Sequence, residues 1–222
     1  MSTDSSRFIE FKKSLPLHVQ LVAVSKTKTA AEIMKVYDAG HRCFGENKVQ
    51  ELTPKHEALP KDIEWHMIGH LQSNKVKFIA PFVDMIHSVD SLKLLSVIDK
   101  EAQKNNRVIP CLLQIQIAEE ETKFGLNATE TWNLLQSEEY RKFRNVLIRG
   151  VMGMATFTDD IEKVRNEFRF LKGIFDSIKK NFFSENDYFS EVSMGMTDDY
   201  RIAIQEGSTI IRIGSAIFGS RQ

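Results

Sequence analysis

Lys26 closes an apolar run, residues 18–24, that reads as a buried strand. An ammonium group at such a position loses hydration, which lowers its pKa and favours the neutral amine that condenses with a carbonyl. Two segments near the other end of the chain carry a different chemistry. Ser193, Gly195 and Thr197 offer hydroxyls and backbone N–H groups ahead of a helical stretch at 200–204, and Gly214-Ser215 does the same ahead of residues 216–218. Such groups at a helix start suit a phosphate. Either segment alone is equally an ordinary turn with capping residues; their recurrence in consecutive units favours an anion site. His66 and His70 are four apart and His87 falls in a later apolar run, but Gly69 interrupts any helix that would set the pair on a metal ion. His66 is therefore read as packed inside a strand and His70 as a loop donor. Met152, Met154, Met194 and Met196 could wall a planar ring, or simply fill core. No Ser-His-Asp or paired-carboxylate arrangement can be located from spacing, so hydrolase readings stay weak.

The elements that carry these residues follow one rhythm. Short runs rich in Val, Ile and Phe, at 18–24, 41–45, 63–68, 83–88, 109–117, 146–152, 189–193 and 209–213, alternate with stretches of helical period. Thr29-Ala30-Ala31-Glu32 reads as a capping box, with Gly40 placed to end the helix it starts. Further helices are expected at 46–57, 73–79 and 91–104. From Asp159 on, Ile161, Val164, Phe168, Leu171, Ile174 and Ile178 mark one face of a long helix. Eight βα units with buried rather than alternating strands point to a single (β/α)8 TIM barrel in one domain, 1–222. A doubly wound open sheet is the structural alternative, but neither GxGxxG nor GxxxxGK[ST] follows the first strand. Barrel sites lie at the carboxyl ends of the strands. Residues 25–28, 45–47, 69–74, 87–90, 123–125, 152–154, 193–197 and 212–215 then form one rim. A phosphate site across that rim from an aldehyde-reactive lysine supplies the two anchors that pyridoxal 5′-phosphate needs.

The composition fits this reading and excludes others. Of 222 residues, 42% are hydrophobic, and Lys+Arg equals Asp+Glu at 30 each, so nothing draws the chain as a whole toward nucleic acid or acidic lipid. Cys43 and Cys111 belong to no disulfide framework or zinc spacing. No apolar run is long enough to span a bilayer, and the first residues lack a signal core. A cytoplasmic protein with no membrane partner is expected.

Several ordered segments are similar to one known family. Ala23-Val24-Ser25-Lys26-Thr27-Lys28, Phe44-Gly45-Glu46-Asn47, residues 65–75, His87-Ser88-Val89-Asp90, Ser193-Met194-Gly195-Met196 and residues 212–219 together resemble the YggS/PROSC pyridoxal phosphate homeostasis proteins, the alanine-racemase N-terminal-domain-like group. The resemblance is nearly full length. It implies that Lys26 forms the Schiff base with the cofactor, that Ser193, Gly195, Gly214 and Ser215 hold the phosphate, that Asn47 lies near the ring oxygen and that Arg212 faces the pyridine nitrogen. An always-charged guanidinium there disfavours protonating the nitrogen, so broad transaminase or decarboxylase chemistry is not expected. Thr197 stands where the family usually has Ser, and keeps a hydroxyl; Gln116 stands where Asn is usual. Related racemases take a second acid/base tyrosine from an additional β-domain, for which a chain stopping at Gln222 leaves no room. Among Tyr37, Tyr140, Tyr188 and Tyr200, only Tyr200 lies next to the phosphate segment in sequence.

The leading expectation is a monomeric barrel that holds pyridoxal phosphate exchangeably on Lys26 and buffers or delivers it, with cofactor-requiring apo-enzymes as possible recipients. It would be a binding protein before an enzyme. The alternatives are a racemase-like enzyme of low activity, and a cofactor-free barrel enzyme acting on a phosphorylated substrate.

Overall fold

A computed structural model of the protein describes residues 5–118 and 124–219. Its strands are β1 (Gln20–Val24), β2 (Cys43–Glu46), β3 (Glu64–Met67), β4 (Met85–Val89), β5 (Ile109–Gln114), β6 (Val146–Met152), β7 (Glu191–Ser193) and β8 (Ile210–Ile213). All neighbours pair in parallel, and β8 returns to β1 with Val22 opposite Arg212 and Ala23 opposite Ile213. The sheet is therefore a closed barrel, and the open doubly wound alternative is excluded. Closure follows from the residues: strands such as β2 and β4 are buried at every position, which only a sheet covered on both faces permits.

The helices are α1 (Ser5–Lys13), α2 (Ala30–Asp38), α3 (Val49–Ala58), α4 (Val76–Ile79), α5 (Leu92–Lys104), α6 (Ala128–Gln136), α7 (Glu138–Lys142), α8 (Ile161–Phe182), α9 (Tyr200–Gln205) and α10 (Ser215–Phe218). The capping box of α2 forms, with Thr29 Oγ1 accepting from the Glu32 N–H and Glu32 Oε2 accepting from the Thr29 N–H at 2.8 Å. On α8 the periodic positions Val164, Phe168, Leu171, Ile174 and Ile178 are buried against the sheet, while Ile161, at its first turn, is exposed. The stretch expected as one helix at 73–79 is a 3₁₀ turn, Ser73–Lys75, leading into α4. α6 and α7 were not expected from periodicity. They are short, and their starts are set by polar caps: Asn127 with Glu130, and Ser137 with the Tyr140 N–H.

Strand alternation sorts the core into two layers. Phe44, Trp65, Ile86, Leu113, Val151 and Ile211 belong to the larger cluster between sheet and helices, whereas Val22, Val24, Cys43, Ile68, Met85, Leu112, Met152 and Ile210 fill the barrel interior. The same parity carries past the strand ends. Lys26 follows Val22 and Val24, Asn47 follows Cys43 and Gly45, and Arg212 follows Ile210, so all three belong to the inward set.

Candidate functional site

A cavity of about 380 Å³ opens at the carboxyl ends of the strands, within the roughly 300–1,000 Å³ typical of small-molecule sites. Lys26, Asn47, Arg212, Gly214 and Ser215 line it, together with Thr197. Five of the seven residues expected at a cofactor site thus meet in one place, from β1, β2 and β8. Ser193 and Gly195 are buried and do not line it. Met154 and Met196 contribute apolar surface, while Met152 and Met194 are buried in the core. A second cavity of about 360 Å³, near the amino ends of β1 to β3, takes in Lys12, Gln20, Cys43 and Glu64 and gathers no comparable donor set.

The floor is built around Arg212. Its side chain is almost wholly buried, and burial pulls its pKa down to about 10, so it remains a cation at neutral pH. NH1 donates to Ser193 Oγ at 2.6 Å and NH2 to the Gly153 carbonyl at 3.0 Å. Ser193 Oγ lies 3.0 Å from His87 Nδ1, His87 Nε2 lies 3.0 Å from His66 Nδ1, and His66 Nε2 lies 3.6 Å from Cys43 Sγ. Burial lowers the pKa of His66 to about 4 and that of His87 well below its usual value, so both rings are neutral. The network then sets the tautomers. A guanidinium only donates, which leaves the Ser193 proton for His87 Nδ1; His87 Nε2–H donates to His66 Nδ1, and His66 Nε2–H faces the sulfur. Every link turns its acceptor end toward the cation, the orientation that stabilises a buried positive charge. Asp199 adds an opposite charge, and its carboxylate accepts from the Met196 N–H at 2.5 Å.

At one rim Ser215 Oγ donates to Thr197 Oγ1 at 3.1 Å, pairing two hydroxyls from the β7 and β8 ends. The segment between β7 and α9 can lie so close because Gly195 has φ +97° and a Cβ there would stand 2.6 Å from that of Ala203. Across the cavity, Gly69 does the same for Asn47: a Cβ would fall 2.4 Å from the Asn47 carbonyl oxygen. His66, expected as a packed strand residue, is one, and His70 pairs with Asp90 at 3.2 Å while stacking on Phe124. Lys123, expected on the rim, lies outside the described residues. The tyrosines are elsewhere: Tyr37 bonds Asp62, Tyr140 packs on Phe143, Tyr188 on Phe183, and Tyr200 turns outward onto Phe11. Sequence reading missed the support for Arg212. The available signal was a polar residue, His66 or His87, at an inward position of an otherwise apolar strand.

Comparison with known proteins agrees with this fold. Residues 7–222 match the family described as alanine racemase, N-terminal domain. The pyridoxal phosphate homeostasis protein of Aquifex aeolicus is 40% identical over 205 residues, covering 91% of this chain and 87% of the relative. The human pyridoxal phosphate homeostasis protein is 37% identical over 220 residues, covering 94% and 79%. Among solved structures, PipY of Synechococcus elongatus without PLP superposes with a TM-score of 0.90 at 34% identity over 97% of this chain and 99% of that one; its PLP-bound form gives 0.87. Alanine racemase from Bartonella henselae, at 15% identity and a TM-score of 0.69, covers 99% of this chain but 60% of the racemase, and shows a shared fold. The chain belongs to the pyridoxal phosphate homeostasis protein family, built on the alanine racemase N-terminal domain.

Proposed function

We propose that the chain binds pyridoxal 5′-phosphate reversibly through Lys26 and acts in its homeostasis, holding the cofactor and releasing it to apo-enzymes that require it. The carrying observation is the convergence of Lys26, buried Arg212 and the Thr197–Ser215 hydroxyl pair on one cavity. Pyridoxal phosphate supplies an aldehyde that condenses reversibly with a primary amine. The donor set fits that molecule: an amine for the aldehyde, a cation for the ring nitrogen, and hydroxyls with first-turn N–H groups for the phosphate. In this reading Lys26 holds the cofactor, Asn47 lies at the ring oxygen, and Thr197, Gly214 and Ser215 take the phosphate with Gly195 shaping the turn that presents them. Ser193, expected with the phosphate, instead orients Arg212, because its hydroxyl is already engaged by Arg212 and His87. Arg212 keeps a proton off the pyridine nitrogen and so favours holding over turnover. Binding in PipY and the names of the relatives support the assignment.

The role is read as that of a cytoplasmic monomer. Both cysteines are free with buried thiols, which suits a reducing compartment, and no helix among the described residues is long and apolar enough to cross a membrane. The test is to add pyridoxal phosphate, reduce with borohydride and map the labelled peptide by mass. A single label at Lys26, absent from Lys26→Ala, is expected. An unlabelled wild type, or equal labelling of Lys26→Ala at another lysine, sinks the assignment.

A further inference from the structure

The main chain on each side of Lys26 is held by one helix. The last sheet bond of β1 runs from the Ser25 N–H to the Gly45 carbonyl at 3.0 Å; beyond it the chain leaves the barrel wall. There Lys55 Nζ, on α3, donates to the Ser25 carbonyl at 2.9 Å, and Glu51 Oε2, one turn earlier on the same helix, accepts from the Thr27 N–H at 2.7 Å. Lys55 is nearly buried and also donates to Glu46 Oε1 at 2.7 Å, an oxygen that accepts from Ser25 Oγ at 2.6 Å. Thr27 between these anchors has φ +64°, a left-handed conformation that a β-branched residue adopts only when its surroundings impose it.

We infer that Glu51 and Lys55 are positioning residues for Lys26: they clamp the peptide groups flanking it and so fix the direction in which its side chain enters the cavity. Their spacing is the mechanism, since residues four apart share a helix face and here reach the two sides of one lysine. A lysine side chain has four rotatable carbons, so a small tilt of its backbone moves the amine far from a carbonyl it must meet. The clamp also joins two walls of the cavity, because Glu46 immediately precedes Asn47. Strain at Thr27 is the cost of the turn, and the Glu51 bond to its N–H is what holds that turn in place.

This inference rests on the cofactor reading, and its test separates the two. Dissociation constants for pyridoxal phosphate and pyridoxamine phosphate are measured on wild type, Glu51→Ala and Glu51→Gln, with a urea midpoint for each. Pyridoxamine phosphate keeps the ring and phosphate but has no aldehyde, so it reads the cradle without Lys26. Glu51→Ala should weaken pyridoxal phosphate about tenfold, the scale of one charge-assisted hydrogen bond, while pyridoxamine phosphate binding and the midpoint stay close to wild type. Glu51→Gln keeps an acceptor oxygen for the Thr27 N–H and should restore most of the aldehyde preference. An unchanged pyridoxal phosphate constant in Glu51→Ala, or equal losses for both ligands, overturns the clamp while leaving the cofactor reading intact. A wild type that binds both ligands equally overturns the role of Lys26 and the clamp with it.

Discussion

Arg212 is a cation stabilised inside the barrel by neutral groups, and each of those groups depends on the next. Ser193 sits at the junction, accepting from the guanidinium and meeting His87. Ser193→Ala removes both contacts, leaving one guanidinium N–H without its acceptor and His87 Nδ1 without its donor. The expected cost is about 1–3 kcal/mol in urea unfolding, the range for an orphaned buried polar group. A stability within experimental error of wild type would show that the chain of hydrogen bonds contributes nothing net. This junction also marks how far the site could be read from sequence. Lys26, Asn47, Gly214 and Ser215 could be placed on the rim because each follows an apolar run, and Arg212 because it falls near the end of the last one; barrel topology then brings all five to one cavity. The role of His87 was not legible. It depends on contacts across 106 residues to Ser193 and across 21 to His66, which no local pattern encodes.

At the scale of elements, α2 and α3 do unequal work. α2 is a locally specified helix whose capping box was visible in Thr29 and Glu32, and Thr29→Ala should cost about 1 kcal/mol, read as a lowered thermal midpoint. α3 carries weaker local signals, including an internal Pro54, and gains its importance from Lys55. Lys55→Met would leave Glu46, which is fully buried, with an uncompensated charge. Breaking such a pair typically costs about 3–5 kcal/mol. Burial already raises the pKa of Glu46, so protonation offers an escape, and the urea-measured loss should be smaller at pH 5 than at pH 7. An equal loss at both values would place the damage in packing rather than charge. The same contrast explains which elements the sequence revealed. α8 has enough turns for its apolar period to repeat, whereas α6 and α7 are too short for periodicity and are announced only by their caps.

For the whole molecule, closing the barrel places histidines where charge is penalised, and this gives stability a defined dependence on pH. His41 and His66 have pKa values pushed down to about 4 by burial, with Lys12 and Arg42 adding repulsion at His41 and Arg149 at His66. His87 is also lowered well below its usual value, by burial first and then by His66 and Arg212. In the unfolded chain each titrates near 6.5. Between that value and the folded one, the unfolded state binds more protons, so stability is complete above about pH 6.5 and is lost as pH falls. By pH 5.5 His41 and His66 should each have withdrawn roughly 1.4 kcal/mol, about 3 kcal/mol for the two together, and His87 acts in the same direction. Buried Glu46 and half-buried Asp84 and Asp199 have raised values and act with the opposite sign, stabilising the fold as pH falls toward the ordinary carboxylate range. The histidine contribution begins at about 6.5, where the unfolded rings take up protons. Urea midpoints at pH 7.5, 6.5 and 5.5 should fall most steeply over the last interval, and His66→Gln with His87→Gln should flatten that fall even though it lowers stability at pH 7.5. If the double variant keeps the full wild-type slope, the acid sensitivity belongs to other groups, and the two rings do not share the neutral state on which Arg212 depends.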